Sequence, residues 1–67
     1  MEYYVIKFTK PSADGRSYYW NIDLQMFDPT YYTTFADQDT VEDYYTQNQD
    51  VLSLGKVVRV TMIETDV

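Results

Sequence analysis

Residues 37–55, DQDTVEDYYTQNQDVLSLG, decide the fold, because they form the one stretch with helical rather than two-residue periodicity. Val41, Tyr44, Tyr45, Asn48 and Leu52 fall at i, i+3, i+4, i+7 and i+11, a stripe that lays one face of a short helix on a sheet. Asp39, Glu42, Asp43 and Asp50 fall on the opposite face, with no base among them. Asp37 is the expected N-cap, with Asp39 as the alternative because Glu42 then takes the capping-box position. The helix is expected to fray near Asn48. Val51 to Gly55 then reads as an apolar connector ending in a glycine that permits a turn.

Outward from the helix, both flanks have strand character. Tyr3 to Thr9 alternates, with Tyr4, Ile6 and Phe8 on one side and Tyr3, Val5 and Lys7 on the other. Lys10 to Ser17 has a hairpin composition, and its Asp-Gly pair places Gly15 where a positive φ is needed. Tyr18 to Met26 alternates again, which predicts one continuous strand with Trp20, Ile22, Leu24 and Met26 buried and Tyr19, Asn21, Asp23 and Gln25 wet. Asp28-Pro29-Thr30 breaks the ladder. Tyr31 to Phe35 is either a short third strand or an extended lead-in to the helix, and Lys56 to Glu64 is the last strand.

The predicted architecture is therefore α+β: one compact domain over residues 1–67, a small antiparallel sheet of three to four strands, and one helix on one face, in the order β-β-(β)-α-β. The expected core is Ile6, Phe8, Trp20, Ile22, Leu24, Val41, Val58 and Val60. The sheet face away from the helix should carry Tyr3, Val5, Lys7, Tyr19, Asn21, Asp23, Val57, Arg59 and Ile63. A mixed apolar and charged face of this kind, left open by a single helix layer, predicts a weak homodimer or a partner contact.

A chain of 67 residues buries only roughly 60% of its unfolded surface, so modest stability is expected. At 45% hydrophobic and 18% aromatic residues the composition is that of a folded domain despite a net charge of -6. Without cysteine or histidine the chain has no disulfide, thiolate nucleophile or imidazole base. It shows neither a signal-peptide pattern at the N-terminus nor an apolar run of membrane-spanning length, which makes a cytoplasmic setting without membrane contact the expectation.

Charge is distributed unevenly. All five bases, Lys7, Lys10, Arg16, Lys56 and Arg59, lie in the first 16 or last 12 residues. Residues 17–55 hold seven acids and no base: Asp23, Asp28, Asp37, Asp39, Glu42, Asp43 and Asp50, a net charge of -7. Such a field steers basic partners and repels nucleic acid. Tyrosines near these acids, Tyr19, Tyr31 and Tyr32, are the candidate contact residues, since the ring offers area and a hydroxyl with little entropy to lose. The plain alternative is a solubilising surface with helix-capping acids.

Other chemistries find little support. The spacing from Asp37 begins like a calcium loop but has Glu42 where a glycine is needed and Asn48 where a glutamate is needed. No cofactor motif is present, and no pair of the eleven carboxylates is singled out for acid and base work, so a non-enzymatic protein is expected.

With its YVIKF (4–8) and YYWNIDLQMF (18–27) hairpin, its TTFADQDTVEDYY run (33–45) and its unbalanced acids, the whole chain resembles small acidic phage-encoded inhibitors of host or defence enzymes, some of which are DNA mimics. The resemblance implies a protein that blocks a basic, nucleic-acid-handling partner by charge mimicry in the host cytoplasm, and it assigns no individual residue. The alternative function is a small structural or assembly subunit that oligomerises through its open sheet face.

Overall fold

The computed structural model describes residues 1–10 and 12–61. Along the chain run β1 (Glu2–Phe8), β2 (Tyr19–Asn21), β3 (Met26–Asp28), α1 (Gln38–Gln47), a single helical turn α2 (Gln49–Leu52) and β4 (Gly55–Thr61). The strands form one antiparallel sheet in the order β3-β2-β1-β4, and α1 lies over β1 and β4, giving the α+β class expected.

The helix forms as the periodicity predicts. Asp37 is the N-cap: its carboxylate accepts from the Thr40 backbone N–H at 3.1 Å and the Thr40 hydroxyl at 2.9 Å. Val41 and Leu52 are fully buried, while Tyr44, Tyr45 and Asn48 are half-buried between them. At Asn48 the helix breaks, and the Asn48 amide donates to the Tyr44 carbonyl at 2.8 Å, satisfying an end-of-helix acceptor. The capping box from Asp39 does not form; Glu42 instead accepts from the Gln38 amide at 3.1 Å.

The core on the helix side joins Tyr4, Ile6, Trp20, Phe35, Val41 and Leu52, with Ile22, Phe27, Tyr44, Tyr45 and Val57 packed around them. Burying side chains of this size stabilises by roughly 1.5–3 kcal/mol each. Phe27 touches both Phe8, with centroids 4.9 Å apart, and Trp20, at 5.0 Å.

Two strand expectations are corrected, and the alternative left open at Tyr31 to Phe35 is decided. Tyr18 to Met26 is not one strand. β2 ends at Asn21, the chain turns through Ile22–Gln25, where Gln25 takes φ 53°, and β3 returns with Phe27 paired to Trp20. Leu24 and Met26 are therefore exposed, at 52% and 49%, and the large Phe27 ring fills the core volume assigned to them. The third strand is accordingly Met26–Asp28, whereas Tyr31 to Phe35 is an extended lead-in. It meets β1 only at the Tyr4–Phe35 bridge, with reciprocal backbone bonds of 2.7 and 2.8 Å.

The last strand also has the opposite phase. Val57 pairs with Ile6 and shares its helix-side face, as Arg59 does with Tyr4, while Val58 and Val60 stand on the far face beside Val5 and Tyr3. Gly55 fixes that phase. It pairs with Phe8, its carbonyl accepts from the Tyr45 hydroxyl at 2.7 Å, and its α-carbon lies against Ile6 and Phe27, so the residue two further on must face the helix too. Met62, Ile63 and Glu64 lie outside the described residues.

Candidate partner-binding surface

The turn between β2 and β3 is built by Asn21. This residue is only 3% exposed, against the expectation of a wet side chain, and both ends of its amide are used. Oδ1 accepts from the Leu24 N–H at 2.9 Å and Nδ2 donates to the Tyr31 carbonyl at 3.0 Å. Gln25 donates to the Ile22 carbonyl at 2.7 Å, and Thr33 spans the same two segments: its hydroxyl accepts from the Ile22 N–H and its N–H donates to the Trp20 carbonyl, each at 3.0 Å. The hairpin and the segment after it thus form one hydrogen-bonded unit whose buried polar groups are paired.

Asp28 fixes the other side of that unit. Its Oδ1 accepts from the Tyr31 N–H at 2.8 Å, the Thr30 N–H at 2.9 Å and the Thr30 hydroxyl at 3.3 Å, closing the turn that Pro29 begins. The bond from the Tyr31 N–H, followed by that from the Thr30 N–H, holds the carboxyl below its ordinary value.

The unit presents an apolar surface to solvent. Leu24, Met26 and Tyr31, the last 65% exposed, project from the hairpin and the following turn, with the exposed Asp23 inside the same loop. Tyr32 packs on Tyr19 with ring centroids 4.6 Å apart. Tyr19 lies opposite Lys7, whose neighbours Ile6 and Phe8 point the other way, so this aromatic pair belongs to the sheet face away from α1.

The sequence-derived contact residues therefore fall into two groups. Asp23, Asp28, Tyr19, Tyr31 and Tyr32 gather at the β2–β3 hairpin and the segment that follows it. Asp37, Asp39, Glu42, Asp43 and Asp50 ride on the helical segment across the sheet. Within the acids a second division appears. Asp28 and Asp37 are engaged in turn and cap bonds and Glu42 holds Gln38, while the carboxylates of Asp23, Asp39, Asp43 and Asp50 make no hydrogen bond or ion pair among the described residues.

Sequence reasoning missed Leu24 and Met26 as surface residues because strict alternation placed them inside. The available signal was Asn21 followed by a four-residue stretch containing Asp23, a turn-forming composition inside an apparently alternating run. Among the described residues no helix is long and apolar enough to cross a membrane, and no group of three or more carboxylates is arranged to hold a metal ion. No protein-family model, curated protein or solved structure matches the chain.

Proposed function

We propose that this is a non-enzymatic binding protein that docks its β2–β3 hairpin surface on a basic protein, with the helix acids supplying the field that guides the encounter. The observation that carries the reading is the exposure of Leu24, Met26 and Tyr31 on the hairpin and turn that also carry Asp23, within a stretch of residues 17–55 that holds no base. Exposed apolar anchors held by buried hydrogen bonds lose little entropy on binding, and unpaired acids raise the association rate with a cationic partner. A nucleic-acid-handling enzyme with a cationic groove fits that chemistry, and blocking such a groove by charge mimicry is the activity proposed. A phage-encoded inhibitor acting in the host cytoplasm is the setting it suits.

The test is affinity capture from bacterial lysate at low and high salt, comparing the native chain with Leu24→Asp/Tyr31→Asp and with Asp39→Asn/Glu42→Gln/Asp43→Asn. A basic protein should be retained at low salt, released by salt, and lost with either variant. Capture that survives both variants and salt would defeat the reading.

A second reading rests on Val58 and Val60, which stand half-buried beside Tyr3 on the face away from α1; Val5, expected on that open face, is only 1% exposed and adds no accessible area to it. A weak homodimer through that face would show as a mass that doubles at high concentration and returns to monomer with Val58→Lys.

A further inference from the structure

One base from the C-terminal part of the chain meets an N-terminal one in space. Lys7 and Lys56 are direct partners across β1 and β4, so two like charges project side by side from the face away from α1, an arrangement that is unfavourable unless something neutralises it. Beside them Thr9, Lys10 and residues from Ser12 to Tyr18 border an open depression of about 350 Å³. Three of the five bases, Lys7, Lys10 and Arg16, line it, together with Ser12, Ser17 and Tyr18. The side chains of the three bases form no hydrogen bond or close ion pair with any acid among the described residues.

The loop around this depression is held by Asp14, which is not one of its lining residues. The carboxylate accepts from the Ser12 hydroxyl, from the Arg16 N–H at 3.0 Å and from the Tyr18 hydroxyl at 2.7 Å, and Gly15 passes the turn at φ 74°. Lys7, Lys10, Arg16 and the Ser17 hydroxyl form no side-chain hydrogen bond or close ion pair among the described residues, although Arg16 lies within the electrostatic reach of Asp14 and Asp28.

We propose that this depression is a binding site for a small phosphate-bearing molecule, with Lys7, Lys10 and Arg16 holding the phosphate oxygens and the Ser17 hydroxyl donating to one of them. Several cations and a hydroxyl converging on one concavity match the several acceptor oxygens of a phosphate dianion better than the two of a carboxylate. A volume near 350 Å³ accommodates a ligand of about nucleoside monophosphate size. The bound dianion also relieves the Lys7–Lys56 repulsion. A nucleic-acid polymer is disfavoured, because its successive phosphates would meet a molecule of net charge -6, whereas a small anion within a Debye length responds mainly to the local cations.

The test is an amide NMR titration of the full chain with inorganic phosphate, pyrophosphate and a nucleoside monophosphate, each at ionic strength matched with chloride. Saturable shifts are expected at Lys7, Lys10, Ser12 and Gly15 to Tyr18. Lys10→Ala/Arg16→Ala should weaken binding by about tenfold or more. Arg59→Ala, on the opposite sheet face, should leave it unchanged, and each variant's own spectrum verifies its fold. Tighter binding of the nucleotide than of phosphate would add the neighbouring Tyr18 ring to the site, while equal binding would make the phosphate group the whole ligand; both sustain the proposal. Shifts that do not saturate, that chloride alone reproduces, or that Arg59→Ala weakens equally would overturn it.

Discussion

The indole Nε1 of Trp20 donates to the hydroxyl of Tyr44 at 3.0 Å, joining β2 to α1 across 24 positions of sequence. Trp20 is 4% exposed, so this bond is what allows an indole N–H to sit inside the core. Tyr44→Phe keeps the ring, which lies 5.7 Å from Phe35, but leaves that donor without its partner and should cost about 1–3 kcal/mol. Trp20→Ala removes the ring as well and should cost roughly 3–5 kcal/mol, most of the stability of so small a domain. Urea titration with a far-UV readout measures both. Trp20 emission red-shifted in the native protein would contradict the packing itself.

Gly55 is fixed by contact rather than by backbone conformation. A β-carbon there would stand 2.9 Å from Ile6 Cγ2 and 3.2 Å from Phe27 Cζ, both inside the core. Gly55→Ala should therefore destabilise by about 1–3 kcal/mol through overpacking, a loss visible as a lower urea midpoint at unchanged slope. A neutral result would mean that Ile6 and Phe27 can shift at little cost.

The helix was legible in the sequence because Val41, Tyr44, Tyr45, Asn48 and Leu52 have no other consistent reading, and the Asp37 cap followed from its position. The phase of β4 was not legible: Val57, Val58 and Val60 are all valines, and the pairing of Val57 with the buried Ile6, together with the lack of room for a β-carbon at Gly55, shows which face is inner. The β2–β3 turn was obscured because Trp20, Ile22, Leu24 and Met26 alternate over a longer span than β2 occupies. Asn21 ends the strand through hydrogen bonds that no period count contains. The candidate contact residues were named one by one and not as a surface, since alternation assigned Leu24 and Met26 to the core.

Gln25 is the one non-glycine residue with positive φ among the described residues, at 53°. A side chain there carries a steric penalty of roughly 1–2 kcal/mol that glycine lacks. Gln25→Gly loses the exposed bond to the Ile22 carbonyl and gains backbone freedom when unfolded, so the net stabilisation should be no more than about 1 kcal/mol. Thermal melting of the two chains decides the sign. A lower Tm for Gln25→Gly would show that the amide bond outweighs the strain.

Acid should weaken the 12–18 loop in a defined window. Asp14 is lowered to about 2, first by the Ser12 hydroxyl, then by the Tyr18 hydroxyl and the Arg16 N–H. A depressed carboxyl stabilises the fold above its unfolded value near ~3.9, and that contribution is lost as pH falls from there through its folded value. Tyr18 is raised, chiefly by its bond to Asp14, so its contribution is complete below about pH 10 and is lost at higher pH. Asp14→Asn should be less stable than the native chain at pH 7 and converge on it near pH 2, as urea midpoints across that range would show. A constant gap down to pH 2 would assign the loss to packing instead of ionisation.

Asp39 and Asp43 stand four apart on the solvent face of α1 with no ion pair among the described residues. Like charges at that spacing destabilise a helix by about 0.2–0.5 kcal/mol, and an acid followed four residues later by a lysine stabilises by a similar amount. Asp39 is compensated by its place in the first turn, near the positive end of the helix dipole; Asp43, further along, is not. Asp43→Lys should therefore raise stability by about 0.5–1 kcal/mol while weakening the negative field proposed to guide a basic partner. The two effects have opposite sense for the protein, which is expected where charge is kept for binding at a cost in stability. Thermal melting and stopped-flow association with the captured partner measure them separately. A higher Tm with an unchanged association rate would remove the helix acids from the encounter and leave the hairpin surface as the only contact.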